Sequence, residues 1–164
     1  MKEITIRLNG ETRRVAVNPN DTLLAILRGK LGIKTPKEGC GRGDCGACTV
    51  LLDGKAVRSC LILAIETDGQ SVTTLEGVGQ GGLSALQKAF IKNNVFQCGF
   101  CTPGMVLSAS ALLDEKPQPT EHDVREALAG NLCRCTGYKP IVEAVLAVAR
   151  KNNRKKSASR RARS

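Results

Sequence analysis

Residues Glu38-Gly-Cys-Gly-Arg-Gly-Asp-Cys-Gly-Ala-Cys-Thr-Val50 decide the reading of this chain. Cys40, Cys45 and Cys48 are spaced C-x4-C-x2-C, and Cys60 follows twelve residues after the third. The first three match the plant-type [2Fe–2S] spacing. Two ferric ions, two sulfides and four thiolates carry a formal charge of about −2, which a partly buried site has to offset. Backbone N–H groups do this when they can approach the sulfurs, and Gly39, Gly41, Gly43 and Gly46 give the loop that freedom. Arg42 adds a nearby cation. The competing readings are a four-cysteine zinc site and inert core thiols. Zinc ribbons pair C-x2-C with C-x2-C, and a C-x4-C-x2-C run on a glycine-rich loop fits them poorly.

Around this loop the first half of the chain reads as β-rich. Residues 3–8 alternate apolar and polar, Asn9-Gly10 is a hairpin turn, and Thr12 to Val17 return as a second strand. Asp21 is placed to cap a short helix carrying Leu23, Leu24, Ile26 and Leu27. Thr49–Leu52 and Lys55–Arg58 flank a second hairpin signal, Asp53-Gly54, and Ser71 to Leu75 reads as a last strand. Residues 77–82, Gly-Val-Gly-Gln-Gly-Gly, have no apolar periodicity and read as a linker between a domain at 1–76 and another at 83–150.

The second half reads as helical. Ser84-Ala-Leu-Gln87 is a capping box, with Leu83, Leu86 and Phe90 expected on one face. A helix is predicted from about Pro103 to Glu115, ended by Pro117 and Pro119. Thr120 and Asp123 cap a third that stops near Gly130, and a last one begins after Pro140. That last helix has apolar residues on more than one face, which implies burial on several sides. Cys98 and Cys101 precede one helix, and Cys133 and Cys135 precede another, so that two helix N-termini would face an anionic site. On spacing alone this second set suits zinc as well as iron and sulfide.

Composition narrows the classes. The chain has 164 residues, eight of them cysteine, and a net charge of +10. Eight of its 25 basic residues lie from Arg150 onward with no acid among them, leaving 17 against 15 acids in the body. Residues 151–164 are expected to form a disordered basic tail. Four aromatics give few stacking platforms for single strands, so no nucleic-acid partner is expected. The start of the chain carries no secretory signal and no apolar run is long enough to span a membrane. The expected location is the cytoplasm, where eight cysteines point to metal or redox chemistry rather than disulfides. No nucleophile constellation, acid/base pair or phosphate loop is present, and no catalytic residue is assigned.

The cysteine motifs together resemble the iron–sulfur subunit of the xanthine dehydrogenase family, the molybdenum hydroxylases. The first loop is similar to that family's first cluster segment. Gln97-Cys-Gly-Phe-Cys-Thr-Pro-Gly-Met105 and Gly130-Asn-Leu-Cys-Arg-Cys-Thr-Gly-Tyr138 are similar to its second. The likeness covers about residues 2–150 and all eight cysteines. It implies an α+β chain in which a plant-ferredoxin-like β-grasp domain is followed by a C-terminal four-helix bundle. Cys40, Cys45, Cys48 and Cys60 would ligate one [2Fe–2S] cluster, and Cys98, Cys101, Cys133 and Cys135 the other.

The resemblance further implies a large partner subunit holding a molybdopterin cofactor and an acceptor partner, usually a medium subunit holding FAD, with haem as the alternative. The assembly would be a hetero-oligomer, a dimer of heterotrimers among the possible arrangements, acting on an aldehyde or N-heterocycle. Gln97 and Cys135 would lie beside the pterin, Gln97 bonding its edge and Cys135 giving it a short electronic contact with the second cluster. Tyr138 and Met105 read as packing, His122 as surface, and Phe100 as a shield for the second cluster. Two other readings compete: a free-standing ferredoxin-like carrier, and a zinc-stabilised interaction module using its basic tail. A second four-cysteine set weighs against the first, and the plant-type spacing against the second.

Overall fold

A computed structural model describes residues 1–161, with side-chain environments through Asn153. In chain order the elements are β1 (Lys2–Leu8), β2 (Glu11–Val17), α1 (Leu23–Gly29), β3 (Thr49–Leu52), β4 (Lys55–Arg58), β5 (Ser71–Thr73), α2 (Ala85–Lys92), α3 (Thr102–Glu115), α4 (Glu121–Leu128) and α5 (Lys139–Arg161). The strands form one mixed sheet in the order β2-β1-β5-β3-β4. The β1–β5 pair is parallel and the other pairs are antiparallel.

Both hairpins turn where the sequence places them. Asn9 and Gly10 have φ of 52° and 87°, and Asp53 and Gly54 47° and 82°. Two consecutive left-handed residues are what a two-residue turn matched to strand twist requires. The alternation in β1 turns Ile4, Ile6 and Leu8 inward, where they meet Val15, Val17, Val50, Val72 and the α1 residues Leu23, Ile26 and Leu27. The α1 cap is Thr22 rather than Asp21. Its hydroxyl accepts the Ala25 N–H at 3.1 Å, while Asp21 accepts the Asn18 N–H and pairs with Lys30 at 2.7 Å. The expected last strand stops at Thr73, because Leu75–Gly77 tightens into a 3₁₀ turn.

The second half places α2, α3, α4 and α5 around one core built from Leu86, Phe90, Met105, Ala109, Val124, Leu128, Ile141, Val145 and Val148. The capping boxes at Ser84/Gln87 and Thr120/Asp123 are both formed. Leu83, expected on the buried face of α2, precedes the cap and is exposed. Helix α3 is buried without interruption from Pro103 to Ala109, because it touches the sheet through β3 and β4 on one side and helices α2 and α4 on the other.

The residues from Lys151 onward, expected to be disordered, continue α5 as helix to Arg161. The physical reason is local. No glycine or proline follows Pro140, and Lys, Arg and Ala are good helix formers that can extend an already nucleated helix. Residues 162–164 of that expectation lie outside the described residues. No helix among the described residues is long and apolar enough to cross a membrane.

Candidate iron–sulfur centres

The eight cysteines are free thiols gathered in two groups of four. Cys40, Cys45 and Cys48 lie on the loop between α1 and β3, and Cys60 just past β4, so that the β3–β4 hairpin returns it to the loop. Cys48 and Cys60 are buried against Leu24 with their sulfurs 3.4 Å apart. Cys40 and Cys45 form the outer, half-exposed pair. In the second group the Cys98 and Cys135 sulfurs are 3.7 Å apart and exposed, while Cys101 and Cys133 face one another deeper in. The thiols approach two by two, and two thiolates per iron is the demand of a two-iron cluster with four cysteines.

Backbone donors surround the sulfurs. N–H groups of Arg42, Cys45 and Asp44 bring the Cys40 thiol down to about 6. The Phe100 N–H, together with the Cys135 thiol, lowers that of Cys98. Burial and the neighbouring Cys48 sulfur push Cys60 up to about 11, and burial and Cys133 push Cys101 up to about 12. Burial also acts upward on Cys133, but Thr136, whose hydroxyl donates to its sulfur at 3.2 Å, leaves it lowered. Cys135 is raised by its contact with the Cys98 sulfur. The Arg42 side chain turns outward to pair with Asp44 at 2.6 Å, so its backbone serves Cys40 more directly than its charge.

The glycines fit the same purpose. A Cβ at Gly39 would stand 2.8 Å from the Cys45 sulfur, so the side chain's absence leaves the thiol its place. Thiol pairs and inward N–H groups suit a compact anionic cluster in each group, and at the first the side-chain-free backbone at Gly39 adds room for it.

The two groups are neighbours in space. The Leu132 N–H donates to the Cys45 carbonyl at 2.9 Å, joining a backbone position beside Cys133 directly to a first-group cysteine. Phe100, expected to shelter the second group, is 45 % exposed and reaches across to the first. Its ring edge would lie 3.6 Å from a Cβ at Gly39, and the Lys37 ammonium is 5.5 Å from its centroid. Gln97 stands beside Cys135 and donates from Nε2 to its carbonyl at 3.2 Å. Met105 is core and His122 surface, as the sequence indicates.

Tyr138 does more than pack. It holds φ of 68°, unusual for a bulky residue, and its hydroxyl accepts the Cys133 N–H at 2.9 Å. The strained backbone swings the ring back under its own C-x-C loop. Spacing alone gives no sign of this, because the bond depends on that backbone conformation. Tyr138→Phe is expected to lower stability by about 1–2 kcal/mol by orphaning a half-buried donor. A denaturant melt measures this, and an unmoved midpoint would contradict the role.

Comparison with known proteins agrees with this geometry. Residues 6–74 match the family described as "2Fe-2S iron-sulfur cluster binding domain", and residues 74–146 the one described as "[2Fe-2S] binding domain". The chain is 54 % identical over 144 residues to the nicotine 6-hydroxylase small subunit of Paenarthrobacter nicotinovorans, covering 88 % of this chain and 87 % of that one. It is 49 % identical over 148 residues to the nicotinate dehydrogenase small FeS subunit of Eubacterium barkeri, covering 88 % and 94 %. Among solved structures, a chain of quinoline 2-oxidoreductase from Pseudomonas putida 86 superposes with a TM-score of 0.88 at 45 % identity, covering 93 % of this chain and 96 % of that one. With two [2Fe–2S]-binding domains in tandem and relatives of this identity along most of its length, the chain belongs to the small iron–sulfur subunits of the xanthine dehydrogenase, or molybdenum hydroxylase, family.

Proposed function

We propose that this chain relays electrons between a large subunit carrying a molybdopterin cofactor and an acceptor subunit carrying FAD, in a hydroxylase acting on an N-heterocycle, an aldehyde or a related substrate. Cys40, Cys45, Cys48 and Cys60 hold the cluster of a β-grasp domain. Cys98, Cys101, Cys133 and Cys135 hold that of a four-helix bundle. The observation that carries the reading is the Leu132 N–H to Cys45 O bond, which makes the two thiol groups one connected unit. When bound, each cluster supplies a one-electron store at its loop. The chain's own residues separate the loops by a fixed distance, offset their charge with N–H donors and limit water at the buried Cys48 and Cys60.

The outward face of the second group is where the large subunit docks. Cys98 and Cys135 are exposed there, and Phe96, Phe100 and Leu132, each adjoining a residue of the cysteine motifs, are exposed at 39 %, 45 % and 54 %. Apolar side chains around exposed thiols form an interface more readily than a solvated surface. Gln97, held by the Cys135 carbonyl, presents its remaining amide atoms toward the pterin, and Cys135 is the ligand next to it. The relatives named for nicotine and nicotinate favour a pyridine-type substrate. The reduced state of the cytoplasm suits eight free thiols.

Leu132→Glu tests the docking face. It is expected to weaken association with the large subunit by at least about tenfold, seen by gel filtration of the co-expressed complex, while iron content is unchanged. Undiminished assembly would place the large subunit elsewhere.

A further inference from the structure

Beside the apolar contacts of Leu75 and α3, the two halves meet through a buried polar network. Thr49, Asn131 and Ser108 are 0 %, 2 % and 4 % exposed. Asn131 Nδ2 donates to the Gly46 carbonyl and to Thr49 Oγ1, each at 3.1 Å, and its Oδ1 accepts from the Ser108 hydroxyl at 2.8 Å. Arg58 closes the other side, donating to the Gly130 carbonyl at 2.6 Å and to Thr49 Oγ1 at 3.0 Å. The Thr49 hydroxyl itself donates to the Gly46 carbonyl at 2.6 Å. Among the described residues no buried side-chain nitrogen or oxygen is left without a partner.

Such a network stabilises little compared with apolar filling, but its directional bonds define one register. Its position gives the register a use. Gly46 directly follows Cys45, and Asn131 directly precedes Leu132 and Cys133. The network therefore grips the backbone at both ends of the Leu132–Cys45 bond. It grips no thiol. A Cβ at Gly104 would meet the Gly46 carbonyl at 2.4 Å, so the bare α3 backbone lets the loops come this close.

We infer that Asn131, supported by Arg58 and Ser108, is a positioning residue for electron transfer between the two clusters. It fixes the spacing of the two cysteine loops rather than binding either cluster. The inference rests on the two-cluster reading. Electron tunnelling falls steeply with distance and with broken contacts, so a small slip at this seam slows transfer without disturbing ligation.

The test uses the full chain in its native complex, comparing wild type with Asn131→Ala, Arg58→Lys and Ser108→Ala. Reduced protein is read by EPR for the magnetic splitting between clusters, and by rapid-freeze reduction for the inter-cluster rate. Asn131→Ala is expected to keep both clusters and both midpoint potentials. It should weaken the splitting and slow transfer by at least about tenfold. Arg58→Lys follows in the same direction and Ser108→Ala less so. Unchanged splitting and rate overturn the inference. So does loss of one whole cluster in all three variants, which would make these residues holders of a cluster. A wild-type chain lacking two clusters would instead overturn the two-cluster reading.

Discussion

Cys45→Ser and Cys133→Ser are each expected to remove one cluster and spare the other. Each group has its own four sulfurs, and no thiol is shared between them. Serine keeps the volume but replaces a soft thiolate with a poor ligand for iron–sulfur chemistry. Iron should fall from about four to about two per chain, with one reduced-state EPR signal lost. These two positions are informative because Cys45 accepts the backbone bridge and Cys133 adjoins its donor, Leu132. The Cys45 carbonyl that accepts from Leu132 survives the substitution, so the loss is confined to ligation. Cys48 and Cys60 are less clean choices, since they are buried against Leu24 and their loss also disturbs packing. Under the proposed relay, electron throughput should drop on the order of 100-fold in either variant. A variant retaining both clusters would overturn the ligand assignment for that group.

Gly46→Ala is expected to be the most damaging substitution outside the cysteines. The residue has φ of 71°, where an L side chain is strained. Its Cβ would stand 2.3 Å from the Gly130 carbonyl and 2.7 Å from Asn131 Nδ2. Both neighbours belong to the Asn131 and Arg58 network, so relief means opening the seam between the halves. Strain of about 1–2 kcal/mol at the backbone and overpacking of about 1–3 kcal/mol combine to a loss of about 2–5 kcal/mol. Gly104→Ala poses the same contest without the strain. Alanine gains about 1 kcal/mol of helix propensity there, but its Cβ meets the Gly46 carbonyl at 2.4 Å, and the clash outweighs the gain. Thermal melts of the cluster-loaded chain measure both variants. A Gly46→Ala midpoint within a degree or two of wild type would show that the halves do not meet as described.

What the sequence revealed was whatever is local. Asn9-Gly10 and Asp53-Gly54 dictate their turns by backbone freedom alone, and the two capping boxes pair residues three apart. The cysteine groups were legible because iron–sulfur ligation repeats residue types at short spacing. The seam was hidden for the opposite reason. Asn131 bonds to Gly46 across 85 residues, and nothing in the sequence near either residue announces it. Phe100 escaped in the same way, since its ring reaches Gly39 of the other loop. Thr22 takes the capping position expected of Asp21 because both are good capping residues and the helix boundary decides between them by one position. The basic segment after Arg150 was expected to lack order on charge alone. Charge says little once a packed helix has already formed and no breaker interrupts it.

The claim that one chain carries two clusters as a single relay is tested most directly by iron and acid-labile sulfide analysis of anaerobically purified protein, paired with EPR after dithionite reduction. About four iron and four sulfide per chain, with two distinct signals split by their mutual proximity, are predicted. Zinc in place of iron, with no signal from fully loaded protein, would contradict it and leave two structural metal sites in a chain that moves no electrons.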